Sequence, residues 1–129
     1  MRETLRYLKK NREFRKVYKT GRKQFSRYAV IFYVKNNLLY SRFGFSVSKK
    51  VGNSVIRHRV KRLFIESLRK MQEALPQGYD VVIIAKRKAA SMDYHQCCED
   101  MQKFLQRMHR EKNKGKRSGF GESGGFRDD

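Results

Sequence analysis

A run of basic side chains with almost no acid between them is the part of this sequence best suited to binding chemistry. It begins in the motif SVSKKVGNSVIRHRVKR, and between residues 49 and 70 the only carboxylate is Glu66. A charged surface that meets only solvent usually interleaves acids with bases, so a run of one sign favours a polyanionic partner. The basic side chains of this run are Lys49, Lys50, Arg57, His58, Arg59, Lys61, Arg62, Arg69 and Lys70.

The overall charge indicates the same class of partner. The chain carries 32 Lys and Arg against 12 Asp and Glu, a formal net charge of +20 over 129 residues, and such repulsion opposes a compact state unless anions are close. The longest apolar runs, residues 29–34 and 81–85, are far too short to span a bilayer, which favours nucleic acid over membrane. The N-terminal segment MRETLRYLKKNREF lacks the apolar core of a signal peptide, so we expect a cytoplasmic protein.

The acids, histidines and cysteines predict no hydrolytic centre. A protein nuclease needs clustered carboxylates for paired metals, or a histidine beside a positioned nucleophile. Asp93 and Glu99 are six residues apart, and neither has a compelling partner. Cys97 and Cys98 are neighbours, which suits neither a long-range disulfide nor spaced metal ligands. We therefore expect no catalytic residue and no metal site in the chain itself.

Hydrophobic periodicity predicts the elements that precede the basic run. Asn11 can cap a helix over residues 12–20, whose apolar side chains share one face. Residues 24–35 and 38–48 predict two strands of a hairpin, with a turn at the intervening pair of asparagines. In the second strand the two-residue period places four apolar side chains on one buried face. These are Leu39, Phe43, Phe45 and Val47.

The basic run itself predicts a long helix. It starts after Gly52, with Asn53 or Ser54 as N-cap, and the PQG at residues 76–78 stops it. Its predicted core face consists of Ile56, Val60, Leu63, Phe64, Ser67 and Met71. The opposite arc carries Arg57, His58, Lys61, Arg62 and Arg69, with Ile65 among them. Like charges four residues apart destabilise an isolated helix, so local stability does not explain this arc. The free N–H groups at the helix start favour a phosphate near Lys49 and Lys50.

The remaining elements complete a single α+β domain. Residues 79–85 predict a buried strand and residues 92–110 an amphipathic helix. The predicted domain covers residues 1–112, and a disordered basic, glycine-rich tail covers residues 113–129. The order helix, strand, strand, helix, strand, helix predicts helices packed on one face of a small mixed β-sheet.

The motif FGFSVSKKVGNSVIRHRVKR resembles that of the protein subunit of bacterial ribonuclease P, whose usual pattern reads GN-x-V-x-R-N-R-x-K-R. The matching residues are Gly52, Asn53, Val55, Arg57, Arg59, Lys61 and Arg62. The resemblance extends over residues 5–110, including YDVVIIAKRKA. Two positions depart from the pattern: His58 replaces the central asparagine, and Ile65 replaces a basic residue that is common there.

This resemblance implies an α+β protein with a left-handed βαβ crossover that serves a large catalytic RNA. The RNA would remove the 5′ leader of precursor tRNA and carry out the hydrolysis, with Mg²⁺ bound mainly at the RNA and none held by the protein. Both RNAs would be partners, and no obligate protein partner is indicated. The implied contacts to the catalytic RNA are Lys49, Lys50, Asn53, Arg57, His58, Arg59, Lys61 and Arg62. The implied leader-binding cleft contains Phe14, Tyr18 and Phe32.

Two alternatives stay open at the level of sequence. Phe14 and Tyr18 can equally anchor their helix to the sheet, as helical aromatic pairs commonly do. A structural ribosomal or other RNA-binding protein without a catalytic role would share the basic composition, and a sequence-specific DNA-binding protein is a third class. The ordered motif, rather than the composition, favours the interpretation as a ribonuclease P protein.

Overall fold

A computed structural model describes residues 5–118 and contains five strands and three α-helices. The strands are β1 (Arg6–Tyr7), β2 (Arg22–Phe25), β3 (Ala29–Lys35), β4 (Arg42–Ser46) and β5 (Tyr79–Ala85). The helices are α1 (Asn11–Thr20), α2 (Ser54–Lys70) and α3 (Tyr94–Ser118), and short 3₁₀ helices follow α2 and β5. The predicted tail falls largely on residues 119–129, outside the described residues, and the boundary at residue 112 stays a prediction.

The strands form one mixed sheet in the order β1-β4-β5-β3-β2. β4 is parallel to both β1 and β5, whereas β3 is antiparallel to β5 and to β2. The predicted hairpin between residues 24–35 and 38–48 is therefore wrong, because β5 lies between β3 and β4. β5 is buried along nearly its whole length, which suits a central strand. Leu39, predicted to be buried, lies in the loop before β4 and is 93% exposed.

The hairpin that does form joins β2 to β3. The predicted strand over residues 24–35 is interrupted at Ser26, whose backbone N–H donates to the Ala29 carbonyl at 2.8 Å. Asp100 of α3 holds this turn by accepting hydrogen bonds from the Ser26 hydroxyl and from the N–H groups of Arg27 and Tyr28. The strand β2 therefore ends because of Asp100, a residue distant in sequence, and not because of a signal in the local sequence.

Helices cover both faces of the sheet. α2 and α3 pack on the face that carries Ile31, Phe43 and Ile83, and this forms the larger core. α1 packs on the opposite face through Val17, which contacts Val82. The α+β class and the mixed sheet are confirmed, but the placement of every helix on one face is wrong. The reason is that β3 and β5 are apolar on both faces, so each face needs a cover.

α2 is the crossover between the parallel strands β4 and β5, so the βαβ unit implied by the resemblance is present, and its hand stays a prediction. Asn53 caps α2 as predicted, because its Oδ1 accepts a hydrogen bond from the Ile56 N–H at 3.0 Å. Ile65, expected on the exposed arc, is instead half-buried against the larger core. The fully buried positions of α2 are Val60, Phe64, Ser67 and Leu68.

The N-terminus of α1 differs from the prediction. Lys10 rather than Asn11 occupies the N-cap position, and a lysine side chain offers no acceptor for the free N–H groups. Glu13 supplies the missing acceptor: its Oε1 accepts from the N–H of Lys9 at 2.8 Å and of Lys10 at 3.0 Å. These contacts lower the pKa of Glu13 and fix the first turn of the helix.

Candidate RNA interface

The basic face of α2 begins at the turn that leads into the helix. The Val51 N–H donates to the Ser48 carbonyl at 3.0 Å, and this turn presents Lys49 and Lys50 to solvent. On the helix itself His58, Lys61 and Arg62 are exposed. Within residues 5–111, where side chains are described, none of these five side chains has an acidic partner. The charges of the two lysines in the turn and of Lys61 and Arg62 are therefore available to an external anion.

Two arginines of the motif also contact the protein. Arg57 Nε donates to the Gly52 carbonyl at 3.1 Å, which holds its guanidinium against the helix start. Arg59 donates from Nη2 to the Met92 carbonyl at 2.7 Å and from Nη1 to the Ala90 carbonyl at 3.3 Å. Arg59 thus ties α2 to the segment that enters α3, a role that the spacing of the motif does not reveal.

The single acid of the run lies away from these cations. Glu66 forms an i,i+3 pair with Arg69 at 3.6 Å in the C-terminal half of α2, and both side chains are more than two-fifths exposed. Exposed pairs of this kind contribute little to stability. The N-terminal half of α2 consequently carries uncompensated positive charge.

A second surface lies on the other side of the sheet, where α1 approaches it closely. Gly44 permits this approach, because a Cβ atom at that position would lie 2.5 Å from Cε2 of Phe14. The Tyr18 and Phe32 rings form a T-shaped pair with centroids 5.3 Å apart and an interplanar angle of 82°. The structure therefore brings Phe14, Tyr18 and Phe32 together, and their role in leader binding stays a prediction. Phe14 and Phe32 are half-buried, whereas Tyr18 is 40% exposed.

Tyr18 presents a neutral phenol at this surface. Burial raises its pKa, and a contact with the Ser46 side chain acts in the opposite direction. The hydroxyl group therefore stays protonated at physiological pH and can donate a hydrogen bond beside the exposed ring.

Three further residues extend the aromatic surface, and none of them was predicted from the sequence. The register of β2 on β3 pairs Lys23 with Phe32 and Phe25 with Val30, so these side chains share the α1 face. Lys23 Nζ lies 5.3 Å from the Phe25 ring centroid, and Lys86 Nζ lies 5.7 Å from the same ring. Phe25 is 60% exposed. The two-residue alternation of β2 indicates that Lys23 and Phe25 share one face, but this is visible only when β2 is treated as a strand separate from β3.

We call this surface the aromatic cleft. It consists of Phe14, Tyr18, Lys23, Phe25, Phe32 and Lys86. Its cations lie over ring faces, where the π system favours positive charge. Aromatic rings of this kind stack on nucleic acid bases with little regard for sequence, while neighbouring cations hold phosphates.

An ion-pair network fixes the position of α1, which forms one wall of the cleft. Arg42 donates from Nε and Nη2 to the two carboxylate oxygens of Asp80, at 2.9 Å and 2.8 Å, and from Nη1 to Glu13 Oε2 at 3.1 Å. The hydrogen bonds to Asp80 raise the pKa of Arg42. Because Arg42 lies on β4, Asp80 on β5 and Glu13 on α1, this network locks the helix to the two central parallel strands.

The acidic groups in residues 5–111 are isolated from one another or already paired. Among the described residues no cluster of three or more His, Cys, Asp and Glu side chains could hold a metal ion. The buried carboxylates already accept hydrogen bonds from other groups. Asp80 accepts from Arg42 and Asn36, whereas Asp100 accepts from the turn at Ser26. No helix in the same part of the chain is long and apolar enough to cross a membrane.

Comparison with known proteins identifies relatives along most of the chain. A family model described as Ribonuclease P matches residues 2–109. The ribonuclease P protein component of Caldanaerobacter subterraneus subsp. tengcongensis is 48% identical over 107 residues, which cover 83% of this chain and 92% of the relative. That of Fusobacterium nucleatum subsp. nucleatum is 45% identical over 101 residues, which cover 78% and 91%.

Solved structures show the same fold. The Staphylococcus aureus RNase P protein superposes with a TM-score of 0.72 at 31% identity, over 78% of this chain and 92% of that one. The Thermotoga maritima RNase P protein gives a TM-score of 0.73 at 30% identity, over 78% and 96%. The motif, the sheet order with its crossover helix and these similarities agree, and the chain belongs to the ribonuclease P protein family.

Proposed function

We propose that this chain binds the catalytic RNA of ribonuclease P through the basic face of α2 and the 5′ leader of precursor tRNA through the aromatic cleft. In this role it assists removal of the leader during tRNA maturation in the cytoplasm. The hydrolysis, with its Mg²⁺, takes place on the RNA. The proposal is carried by one observation: exposed aromatic rings flanked by cations lie on one face of the sheet, while the uncompensated basic helix packs on the other.

The basic face of α2 supports the contact with catalytic RNA. Phosphate binding by exposed lysines and arginines releases counterions, a sequence-independent gain that suits assembly on a folded RNA. We assign this contact to Lys49, Lys50, Arg57, His58, Lys61 and Arg62, which the burial pattern leaves exposed or partly exposed. Two members of the motif have additional structural tasks: Asn53 caps the helix, and Arg59 binds the Ala90 and Met92 carbonyls.

The aromatic cleft supports leader binding. A leader varies in sequence from one precursor to the next, so its site has to accept any base. Stacking on Tyr18, Phe25 or Phe32 meets this requirement and contributes about 1–3 kcal/mol per base. Lys23 and Lys86 lie beside these rings and can neutralise the adjoining phosphates. A mature tRNA lacks the leader, so the cleft distinguishes substrate from product.

Reconstitution tests the proposal. Precursor tRNA is incubated with the protein, with the catalytic RNA of the same organism, or with both, across a Mg²⁺ series. We expect no cleavage by the protein alone, cleavage by the RNA alone only at high Mg²⁺, and cleavage at low Mg²⁺ when both are present. A structural RNA-binding protein would bind RNA without lowering the Mg²⁺ requirement. Mg²⁺-dependent cleavage by the pure protein would overturn the assignment of hydrolysis to the RNA.

A further inference from the structure

The outer surface of α1 carries a basic stripe that neither the α2 face nor the aromatic cleft includes. Its members stand at positions i, i+3, i+4 and i+7, the spacing of one helix face. They are Arg12, Arg15, Lys16 and Lys19, and all four are exposed. The apolar residues of the helix, Phe14 and Val17, point the opposite way, into the core beneath α1.

No acidic side chain of α1 neutralises the stripe. The one acid of α1 is Glu13, and it faces the sheet, where it accepts hydrogen bonds from Lys9, Lys10 and Arg42. In the part of the chain whose side chains are described, no ion pair involves Arg12, Arg15, Lys16 or Lys19. Like charges four residues apart, as in Arg12 and Lys16, weaken an isolated helix by a few tenths of a kcal/mol, roughly. Apart from Lys19, which is favourably placed in the last turn, the stripe does not serve the stability of α1.

The stripe continues directly from the cleft. Tyr18 is exposed at the cleft edge, Arg15 is its i−3 neighbour on the helix surface, and Lys19 is the next residue along the chain. A polyanion that leaves the cleft past the Tyr18 ring meets these two cations first and the rest of the stripe next. From Arg12 to Lys19 the helix rises about 10 Å, which is long enough for the stripe to contact more than one backbone phosphate.

We infer that the α1 stripe binds the phosphates of the leader segment that lies beyond the nucleotides held in the cleft. This inference rests on the proposed function. The bases of the leader stack in the cleft, and its backbone then passes over the edge of α1 onto the stripe. Contacts to phosphates carry no sequence information, so this contact is indifferent to leader sequence and sensitive to leader length and to salt.

The test uses reconstituted holoenzyme and three ligands: mature tRNA, a precursor whose short leader fills only the cleft, and a precursor with a longer leader. The stripe variant is R12Q/R15Q/K19Q. A control variant, K35Q/K103Q/R110Q, removes the same charge from exposed sites outside the cleft, the stripe and the α2 face. Gln is as good a helix former as Lys and Arg, so α1 is expected to persist. Thermal melting verifies that both variants are folded.

With wild-type protein we expect affinity to rise from mature tRNA to the short leader and again to the long leader. The stripe variant should keep the first rise and lose the second, and its salt slope for the long leader should fall by about 2, at about 0.7 for each of three contacts. The control variant should keep both rises. An unchanged long-leader gain in the stripe variant overturns the inference, and so does an equal loss for all three ligands, which would place the stripe on the catalytic RNA. Absence of the first rise in wild-type protein contradicts the proposed cleft instead.

Discussion

Arg42 grips Asp80 with two parallel hydrogen bonds, from Nε to Oδ1 at 2.9 Å and from Nη2 to Oδ2 at 2.8 Å. Asp80 is only 4% exposed, so the guanidinium replaces much of the water that would otherwise surround this carboxylate. Because the same guanidinium also binds Glu13 of α1, one side chain joins β4, β5 and the helix that forms one wall of the cleft.

Breaking this pair should destabilise the fold. We expect Arg42→Met to lower the free energy of unfolding by about 3 kcal/mol, because it leaves the Asp80 carboxylate buried without a counter-charge. Urea denaturation measures the change. Arg69→Met is the matched control, since its pair with Glu66 is exposed and contributes less than about 1 kcal/mol. Equal losses in the two variants would show that Arg42 has no special role.

Adding one methyl group at Gly44 should displace α1. A Cβ there would lie 2.5 Å from Phe14 Cε2, so we expect Gly44→Ala to cost about 1–3 kcal/mol of stability and to weaken precursor binding. The double variant G44A/F14L removes the opposing ring and should recover part of the stability, a coupling that a thermodynamic cycle measures. Strict additivity of the two changes would argue against this contact.

Removing the exposed ring of the cleft should affect only the substrate that carries a leader. We expect Tyr18→Ala to weaken precursor binding by the holoenzyme by about 1–3 kcal/mol while mature tRNA binding is preserved. Tyr18→Phe keeps the stacking surface and should bind nearly as the parent does. Leu39→Ala, an exposed apolar residue outside the cleft, provides the control. Loss of binding to both RNAs in folded Tyr18→Ala protein would indicate a structural role.

Neutralising the α2 face should change how assembly responds to salt. We expect R57Q/K61Q/R62Q to weaken binding to the catalytic RNA and to flatten the plot of log affinity against log salt, by roughly 0.7–0.9 for each lost phosphate contact. Filter binding at several salt concentrations measures the slope. An unchanged slope would place the interface elsewhere on the protein.

The buried thiol of Cys97 predicts a loss of stability at high pH. Burial raises its pKa from 9.0 to about 12, with only partial relief from the nearby Ser67 hydroxyl. Between these values the unfolded chain has lost a proton that the folded chain retains, so this contribution to stability falls by about 1.4 kcal/mol per pH unit above pH 9. Cys97→Ala removes it, and unfolding of the variant should depend less steeply on pH from 9 to 11. Parallel profiles would contradict the shift.

The parts of the fold that sequence predicts are those decided locally. α2 is recognisable because Asn53 caps it and its apolar residues repeat at helical spacing. The pairing of strands is different, since β3 would form a reasonable partner for β4 if β5 did not compete for the same edge. Competition between segments far apart in the chain is invisible to a local pattern. The interruption at Ser26 was missed for the same reason, because the turn there is held by Asp100, which is distant in sequence.

The same distinction applies to the candidate site. The aromatic residues at 14, 18 and 32 come together as the family resemblance implies, whereas Lys23, Phe25 and Lys86 join them only through the true register of β2 and the position of β5. One missed feature did have a signal in the sequence. The continuous apolar runs of β3 and β5 indicate strands buried on both faces, and thus a helix on each side of the sheet.

The position of β5 also dictates when this protein can fold during its synthesis. β5 lies between β3 and β4 but is made after both, so no hydrogen bond joins the two halves of the sheet until residues 79–85 have emerged from the ribosome. A nascent chain that ends before Tyr79 presents two unpaired strand edges, which are prone to pair with other chains. The sheet of this small basic protein is therefore completed only when β5 pairs with β3 and β4, and until then the edges of these two strands can aggregate.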